Sequence, residues 1–134
     1  MAYFEWAEDL VIDNGPLDDD HKQLIGLVNE LHSATSQGAG QEVVGAIMEQ
    51  LITYTEQHFS REERVMSATR FGKMLEHQRS HQKLTEELRT LQAKFHAGSI
   101  TTAAQLSALL RDWLSLHIRR SDRELRAVLA AVRR

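Results

Sequence analysis

Histidine and carboxylate side chains recur in this sequence at spacings that suit chelation of a metal ion. His58 and Glu62 lie four residues apart, and so do His77 and His81. Four residues of α-helix correspond to ~6 Å along the axis and ~40° of rotation, so both members of each pair can reach one site. The chain has no cysteine, so a metal bound here must take nitrogen and oxygen ligands. We interpret the two pairs as candidate metal ligands.

His21, His117 and Asp122 extend this set to five imidazoles and two carboxylates. So many donors exceed what one ion accepts, and they predict a pair of ions bridged by the carboxylates. In two octahedral shells these groups and one bridging oxygen leave a single position, where a small ligand would bind. Mixed nitrogen and oxygen ligation favours iron, although manganese, zinc and cobalt are also compatible with it.

Length and composition limit the kind of protein that carries these residues. A chain of 134 residues with 42% hydrophobic content can bury one core, so we predict a single domain over 1–134. The formal net charge of -3 gives no reason to expect nucleic acid or an anionic membrane as a partner. The N-terminus lacks a signal-peptide pattern, and no stretch approaches the ~20 apolar residues of a membrane span. We expect a cytoplasmic, monomeric protein.

Apolar residues at three- and four-residue steps predict four long helices that position the candidate ligands. The helices are predicted at about 18–36, 41–66, 71–97 and 101–118, with short glycine-containing joints. Short joints favour antiparallel neighbours. We therefore predict an all-α, up-down-up-down antiparallel four-helix bundle (18–118) with an N-terminal arm (1–17) and a short C-terminal helical extension (119–134).

The candidate ligands replace core residues and share one depth in this bundle. Those of the first and third helices lie early, those of the second and fourth lie late, and in an antiparallel bundle these positions meet at the same end. The converging set is His21, His58, Glu62, His77, His81, His117 and Asp122. Two further histidines, His32 and His96, lie ~16 Å and ~22 Å further along their helices, so we expect neither to bind metal.

The five-residue step from His117 to Asp122 does not fit a regular helix. Five residues rotate the side chain by ~500°, which leaves the two groups ~140° apart. Both can point inward only if the helix is distorted between them. We predict a π-bulge or a break between Ile118 and Ser121.

The sequence resembles the hemerythrin family, in particular its bacterial single-domain members. Nearly the whole chain carries the resemblance, through Trp6, Leu10, Gly15, Asp18, His21, His58-Phe59, Glu62-Glu63, Met66, His77, His81 and the stretch from Trp113 to Asp122. It implies a cofactor of two iron ions joined by an oxo or hydroxo bridge. In the implied ligand set one iron has His77, His81 and His117, the other has His21 and His58, and both share Glu62 and Asp122.

The resemblance also implies a function, which is reversible binding of dioxygen by a carrier, storage or delivery protein rather than an enzyme. The five-coordinate iron would be that of His21 and His58. Apolar walls around it would exclude water from the bound ligand. The residues that match the family's oxygen pocket are Leu24, Phe59, Met66, Trp113 and Leu114.

Three other functions use the same residues. A diiron redox enzyme could act on peroxide or nitric oxide, but histidine dominates here and no Glu-x-x-His motif occurs. A sensing module could respond to oxygen through the arm (1–17), although these 134 residues contain no fused output domain. A zinc or manganese hydrolase would need a general base beyond the ligands, and none is evident. The physiological role and any protein partner stay open.

Overall fold

The fold, in a computed structural model that describes residues 3–132, is a bundle of four long helices with a short fifth helix. The elements are a 3₁₀ turn (Glu8–Leu10), α1 (Pro16–Ser36), α2 (Gln41–Ala68), α3 (Met74–His96), α4 (Thr102–His117), a π-helical segment (Ile118–Asp122) and α5 (Arg123–Val132). No strand occurs within the described residues. The predicted all-α bundle is confirmed.

The four long helices form a closed cycle around one core. Helices α1 and α3 each pack against α2 and α4. Residues 1, 2, 133 and 134 of the predicted arm and extension lie outside the described residues, and the predicted domain limits stay a prediction. Among the helices that the structure describes, none is both long enough and apolar enough to traverse a bilayer.

Helix α1 begins two residues before the predicted start because two aspartates organise the turn that precedes it. The Asp13 carboxylate accepts hydrogen bonds from three backbone N–H groups, those of Gly15, Leu17 and Asp18. The Asp18 carboxylate accepts from two N–H groups of the arm, those of Ile12 and Asn14. Pro16 stands at the first helical position, where its missing N–H has no cost. The arm is therefore tied to the helix turn that leads into His21.

Three of the long helices end in the same tight turn, with one residue at positive φ. These residues are Gly38 (φ 71°), Arg70 (φ 55°) and Gly98 (φ 103°). In each turn the next backbone N–H reaches back to a carbonyl of the last helical turn, in the pairs Ala39–Ala34, Phe71–Met66 and Ser99–Lys94. This arrangement satisfies the last carbonyls and reverses the chain within a few residues. Antiparallel neighbours follow from it.

Candidate metal centre

A π-helical segment brings His117 and Asp122 to the same side of the chain. The segment covers Ile118–Asp122 between α4 and α5. Because a π-helix bonds each residue to the fifth residue along, a five-residue step returns the side chain to nearly the same face. His117 Nε2 lies 3.1 Å from Asp122 Oδ1. The distortion predicted from the sequence is confirmed at the predicted place.

Glu62 of α2 lies among imidazoles from three helices, and its side chain is 1% exposed. Its Oε2 atom is 3.1 Å from His58 Nε2 and 3.7 Å from His21 Nε2. Its Oε1 atom is 3.3 Å from His81 Nε2. One carboxylate thus contacts α1, α2 and α3 in a single layer.

Asp122 is the second carboxylate of the layer, and it also lies among three imidazole contacts. Its Oδ1 atom is 3.1 Å from both His77 Nε2 and His117 Nε2. Its Oδ2 atom is 3.4 Å from His21 Nε2. All seven residues of the predicted ligand set are buried, and the structure brings them together near one end of the bundle.

The donor atoms of this cluster are unusually short of partners. Buried polar atoms in proteins are nearly always hydrogen-bonded, and leaving them without a partner is costly. In the described part of the chain, the buried side-chain atoms with no hydrogen-bond partner are both ring nitrogens of His21, both oxygens of Glu62, and the Nε2 atoms of His58, His81 and His117. They all belong to the cluster. Cations at the centre would satisfy these atoms apart from His21 Nδ1, so the residues fit a metal site.

Two groups of ligand atoms can be distinguished, and within each group the atoms lie within 4.8 Å of one another. One group consists of His21, His58 and Glu62; the other consists of Glu62, His77, His117 and Asp122. Glu62 belongs to both, as expected of a bridging carboxylate. His81 belongs to neither group, although its Nε2 atom approaches Glu62 Oε1. The geometry accommodates two ions that share a carboxylate.

The charges of the metal-free cluster show how strongly it favours cations. Burial raises the pKa of Glu62, but contacts with the imidazoles of His21, His58 and His81 outweigh burial and hold this pKa well below its usual range. Burial lowers the pKa of His58, but its hydrogen bond to Asp20 and its close contact with the Glu62 carboxylate outweigh burial and raise this pKa to about 9. In the absence of metal, protons on imidazole therefore balance the carboxylates. Metal binding would displace such protons.

Two ligand imidazoles have a carboxylate partner on the side away from the cluster. His81 Nδ1 donates to Glu63 Oε2 at 3.0 Å, which agrees with the surface or outer-sphere role that the ~100° rotation from Glu62 predicts. His58 Nδ1 donates to Asp20 Oδ2 at 2.9 Å. Sequence reasoning did not single out Asp20. The available signal was its place four residues before the core residue Leu24, on the buried stripe of α1.

The residues matched to an oxygen pocket divide into two sets. Phe59 stacks on the His81 ring at 3.8 Å between centroids, and Trp113 stacks on His117 at 4.1 Å. These aromatic side chains cover ligand imidazoles and limit their contact with water. The other three are fully buried in the core: Leu24, Met66 and Leu114. Their role in an oxygen pocket stays a prediction.

The two histidines chosen as non-ligands lie outside the cluster. His32 stacks on Tyr3, with 3.6 Å between ring centroids. His96 is exposed and packs edge-on against Phe95. Neither belongs to a group of potential metal ligands, so their placement agrees with the prediction from helix depth.

Fold and site together define a four-helix-bundle protein with a histidine-rich cluster that could hold metal ions. The sequence model of the hemerythrin HHE cation binding domain matches residues 15–129. The chain therefore belongs to the hemerythrin family. It is 34% identical to a bacteriohemerythrin of Methylococcus capsulatus over 124 residues, which cover 92% of this chain and 94% of the relative. A bacteriohemerythrin of Pseudomonas aeruginosa is 30% identical over 91% of this chain and 78% of its own length.

Solved hemerythrin structures have the same fold. A wild-type hemerythrin superposes with a TM-score of 0.87 at 30% identity, over 96% of this chain and 99% of that one. A single-residue mutant of hemerythrin superposes with a TM-score of 0.89 at 31% identity, over 97% and 99% of the two chains. The family implies a non-haem diiron centre, and the buried histidines and carboxylates supply donors of the required kinds.

Proposed function

We propose that this chain binds dioxygen reversibly at a diiron centre and acts as an oxygen carrier, storage or delivery protein rather than as an enzyme. His21 and His58 would hold one ion, His77, His81 and His117 would hold the other, and Glu62 and Asp122 would contribute to both. When bound, a reduced pair of irons supplies the electrons that dioxygen accepts. The observation that supports the proposal is one layer of buried histidines and carboxylates, in which several donor atoms have no hydrogen-bond partner and two groups of potential ligands share Glu62.

The protein's own residues would leave room at one metal position and restrict water around the other. Since the His21 and His58 position has one imidazole fewer than the other, it is the one with room for a small ligand. Phe59 and Trp113 cover the imidazoles of the second position and restrict water there. Exclusion of water favours release of the ligand unchanged over its displacement by water.

Ligand type favours oxygen binding over redox catalysis at this site. Five neutral imidazoles and two carboxylates provide fewer negative charges than the carboxylate-rich shells of ferritin-like oxidases. Fewer anionic ligands stabilise the oxidised ions less, which favours reversible chemistry. We find no general base beyond the candidate ligands and their hydrogen-bond partners within the described residues, so hydrolysis has no support.

Reversible oxygenation is the direct test. We expect the anaerobically reduced, iron-loaded protein to develop a charge-transfer absorption on exposure to air and to lose it when oxygen is removed under argon. The same protein loaded with zinc, which supplies no electrons, should show no such band. A rapid conversion to the oxidised form that argon does not reverse would contradict the proposal and favour a redox enzyme.

A sensing role is a second candidate, because one ion pair connects the arm to the metal layer. Arg119 of the π-helical segment donates to both carboxylate oxygens of Asp9, at 2.6 and 3.2 Å. If ligand binding repositions Asp122, the arm should respond. We expect the rate of limited proteolysis within the arm to differ between the oxygenated and oxygen-free reduced protein, and Asp9→Asn to reduce that difference. Equal proteolysis rates in the two forms of the wild type would exclude this candidate.

A further inference from the structure

The Asp20 carboxylate is the centre of a hydrogen-bonded cluster that joins a candidate ligand to the surface of the bundle. Its Oδ2 atom accepts from His58 Nδ1 at 2.9 Å and from Arg61 Nε at 2.8 Å. Its Oδ1 atom accepts from the Tyr54 hydroxyl at 3.0 Å and from Arg61 Nη2 at 2.9 Å. We call Asp20, Tyr54 and Arg61 the Asp20 clamp.

The clamp fixes the carboxylate in one plane. Both Arg61 contacts come from one planar guanidinium, which binds a carboxylate in a fixed geometry. The third donor, Tyr54, comes from the same helix as Arg61, and α1 carries Asp20, so two packed helices determine where the carboxylate lies. Asp20 is therefore a rigid hydrogen-bond acceptor for His58.

The hydrogen bond from Nδ1 to a rigid acceptor determines which nitrogen of His58 is available to a metal ion. With Nδ1 donating to Asp20, the lone pair of neutral His58 is on Nε2, the nitrogen that a metal would bind. That atom lies 3.1 Å from Glu62 Oε2 and has no hydrogen-bond partner. Asp20 thus sets the ring orientation before any ion arrives, and it keeps the proton on Nδ1 when Nε2 gives up its proton to a metal.

The other candidate ligands do not have an equivalent support. Neither ring nitrogen of His21 has a hydrogen-bond partner. Glu63, the partner of His81, is 24% exposed at its side chain, against 11% for Asp20. Within the described residues no arginine or lysine forms an ion pair with Glu63, whereas Arg61 grips Asp20. The two metal positions are therefore supported differently.

We propose that Asp20, held by Arg61 and Tyr54, is a positioning residue that sets the metal affinity of the His21 and His58 position independently of the other. Because this position has only two imidazoles, orientation of His58 governs half of its nitrogen donors. The inference rests on the proposed two-metal site but not on oxygen binding. Removal of an outer-sphere partner typically lowers metal affinity ~10- to 100-fold.

A cobalt titration of the metal-free protein tests the inference. Wild type should bind two Co²⁺, one for each group of ligand atoms. Asp20→Asn keeps the side-chain shape and removes the charge. We expect it to lower the affinity for one of the two Co²⁺ ions by ~10- to 100-fold and to leave the affinity for the other unchanged. Arg61→Gln alters a half-buried side chain outside the ligand set and should weaken the same ion to a smaller extent.

Two further variants provide matched comparisons. Asp19→Asn removes the same charge one residue away, at an exposed position, and should leave both affinities unchanged. Glu63→Gln should lower the affinity for the Co²⁺ ion that Asp20→Asn leaves unaffected. The variant that combines Asp20→Asn with Glu63→Gln should lower the affinity for both ions. Circular dichroism of each metal-free variant would show that the helices are retained.

Proton NMR of the cobalt-loaded protein provides a signature that a purely structural role would not change. The Nδ1–H protons of cobalt-bound histidines give strongly shifted, exchangeable signals. Asp20→Asn should move one of these signals and accelerate its exchange with water, because the proton loses its charged buried acceptor. The signals of the remaining ligands should keep their positions.

Several outcomes would overturn the inference. Asp20→Asn could lower the affinity for both Co²⁺ ions equally, or lower neither. Glu63→Gln could lower the affinity for the same ion as Asp20→Asn. A wild type that binds fewer than two Co²⁺ would refute both this inference and the proposed function. Two bound Co²⁺ together with irreversible oxidation of the diiron form would refute the proposed function alone.

Discussion

Glu62→Ala should abolish the two-metal site while the chain remains helical. Wild type is expected to contain close to two irons per chain after iron-replete expression, one for each group of ligand atoms. The variant should contain one iron or fewer, because Glu62 is the residue common to both groups. Metal analysis of the purified proteins measures this directly. Loss of the charge-transfer absorption of the oxygenated protein should accompany it.

The expected effect is large because the substitution removes a bond to each ion and exposes a gap between three imidazoles. The two Glu62 oxygens face His21, His58 and His81 from three different helices. Alanine offers no donor to replace either oxygen, so Asp122 would be left as the carboxylate that contacts imidazoles of both positions. Loss of a carboxylate that only hydrogen-bonds a ligand imidazole would alter metal affinity. Loss of a ligand that both positions share determines whether the pair of ions binds at all.

His32→Ala is the matched control for this substitution. It removes an imidazole from α1, and that imidazole stacks on Tyr3 away from the cluster. The variant should keep close to the wild-type iron content and its reversible absorption. Equal iron loss in Glu62→Ala and His32→Ala would contradict the assignment of the site to one layer of the bundle.

The sequence predicted the converging ligands because two patterns agree, the apolar periodicity of each helix and the position of each ligand along its helix. Apolar steps of three and four residues fix which face of each helix is buried, and the order of early and late positions fixes the depth of His21, His58, His77 and His117. The π-helical segment was predictable for a related reason. A five-residue step between two inward-facing groups has no solution in regular α-helix.

Side-chain partners across helices were not predictable in this way. The periodicity places Asp20 on the buried face of α1, but its partners Tyr54 and Arg61 lie 34 and 41 residues away along the chain. Their meeting depends on the rotation of α2 against α1, which spacing within either helix does not determine. Similarly, the start of α1 depends on Asp13 in the preceding turn, where Asn14 adopts a φ of 52°.

Metal identity is also beyond what residue spacing determines. The donor set is compatible with several divalent ions, and the preference for iron here comes from membership of the hemerythrin family. The geometry separately indicates the number of metal positions, which is two. The two groups of ligand atoms share Glu62, and this arrangement follows from the fold without reference to any relative.

Removal of the metal should strongly destabilise the fold, since the cluster contains buried donor atoms that have no hydrogen-bond partner without it. An ion that binds the folded chain alone stabilises it by about 4 kcal/mol when its free concentration is a thousand times the dissociation constant. For a domain of this size 1 kcal/mol corresponds to roughly 3 to 5 °C in Tm. Filling even one position should therefore raise Tm by roughly 12 to 20 °C.

Calorimetry of chelator-treated and zinc-reloaded protein measures this shift without interference from oxidation. Glu62→Ala should lose most of the shift, because it lacks the shared ligand. His96→Ala should keep it, because that exposed histidine lies at the far end of α3 from the cluster. Identical melting temperatures with and without metal would mean that the unpartnered atoms of His21, Glu62 and His117 do not bind metal ions.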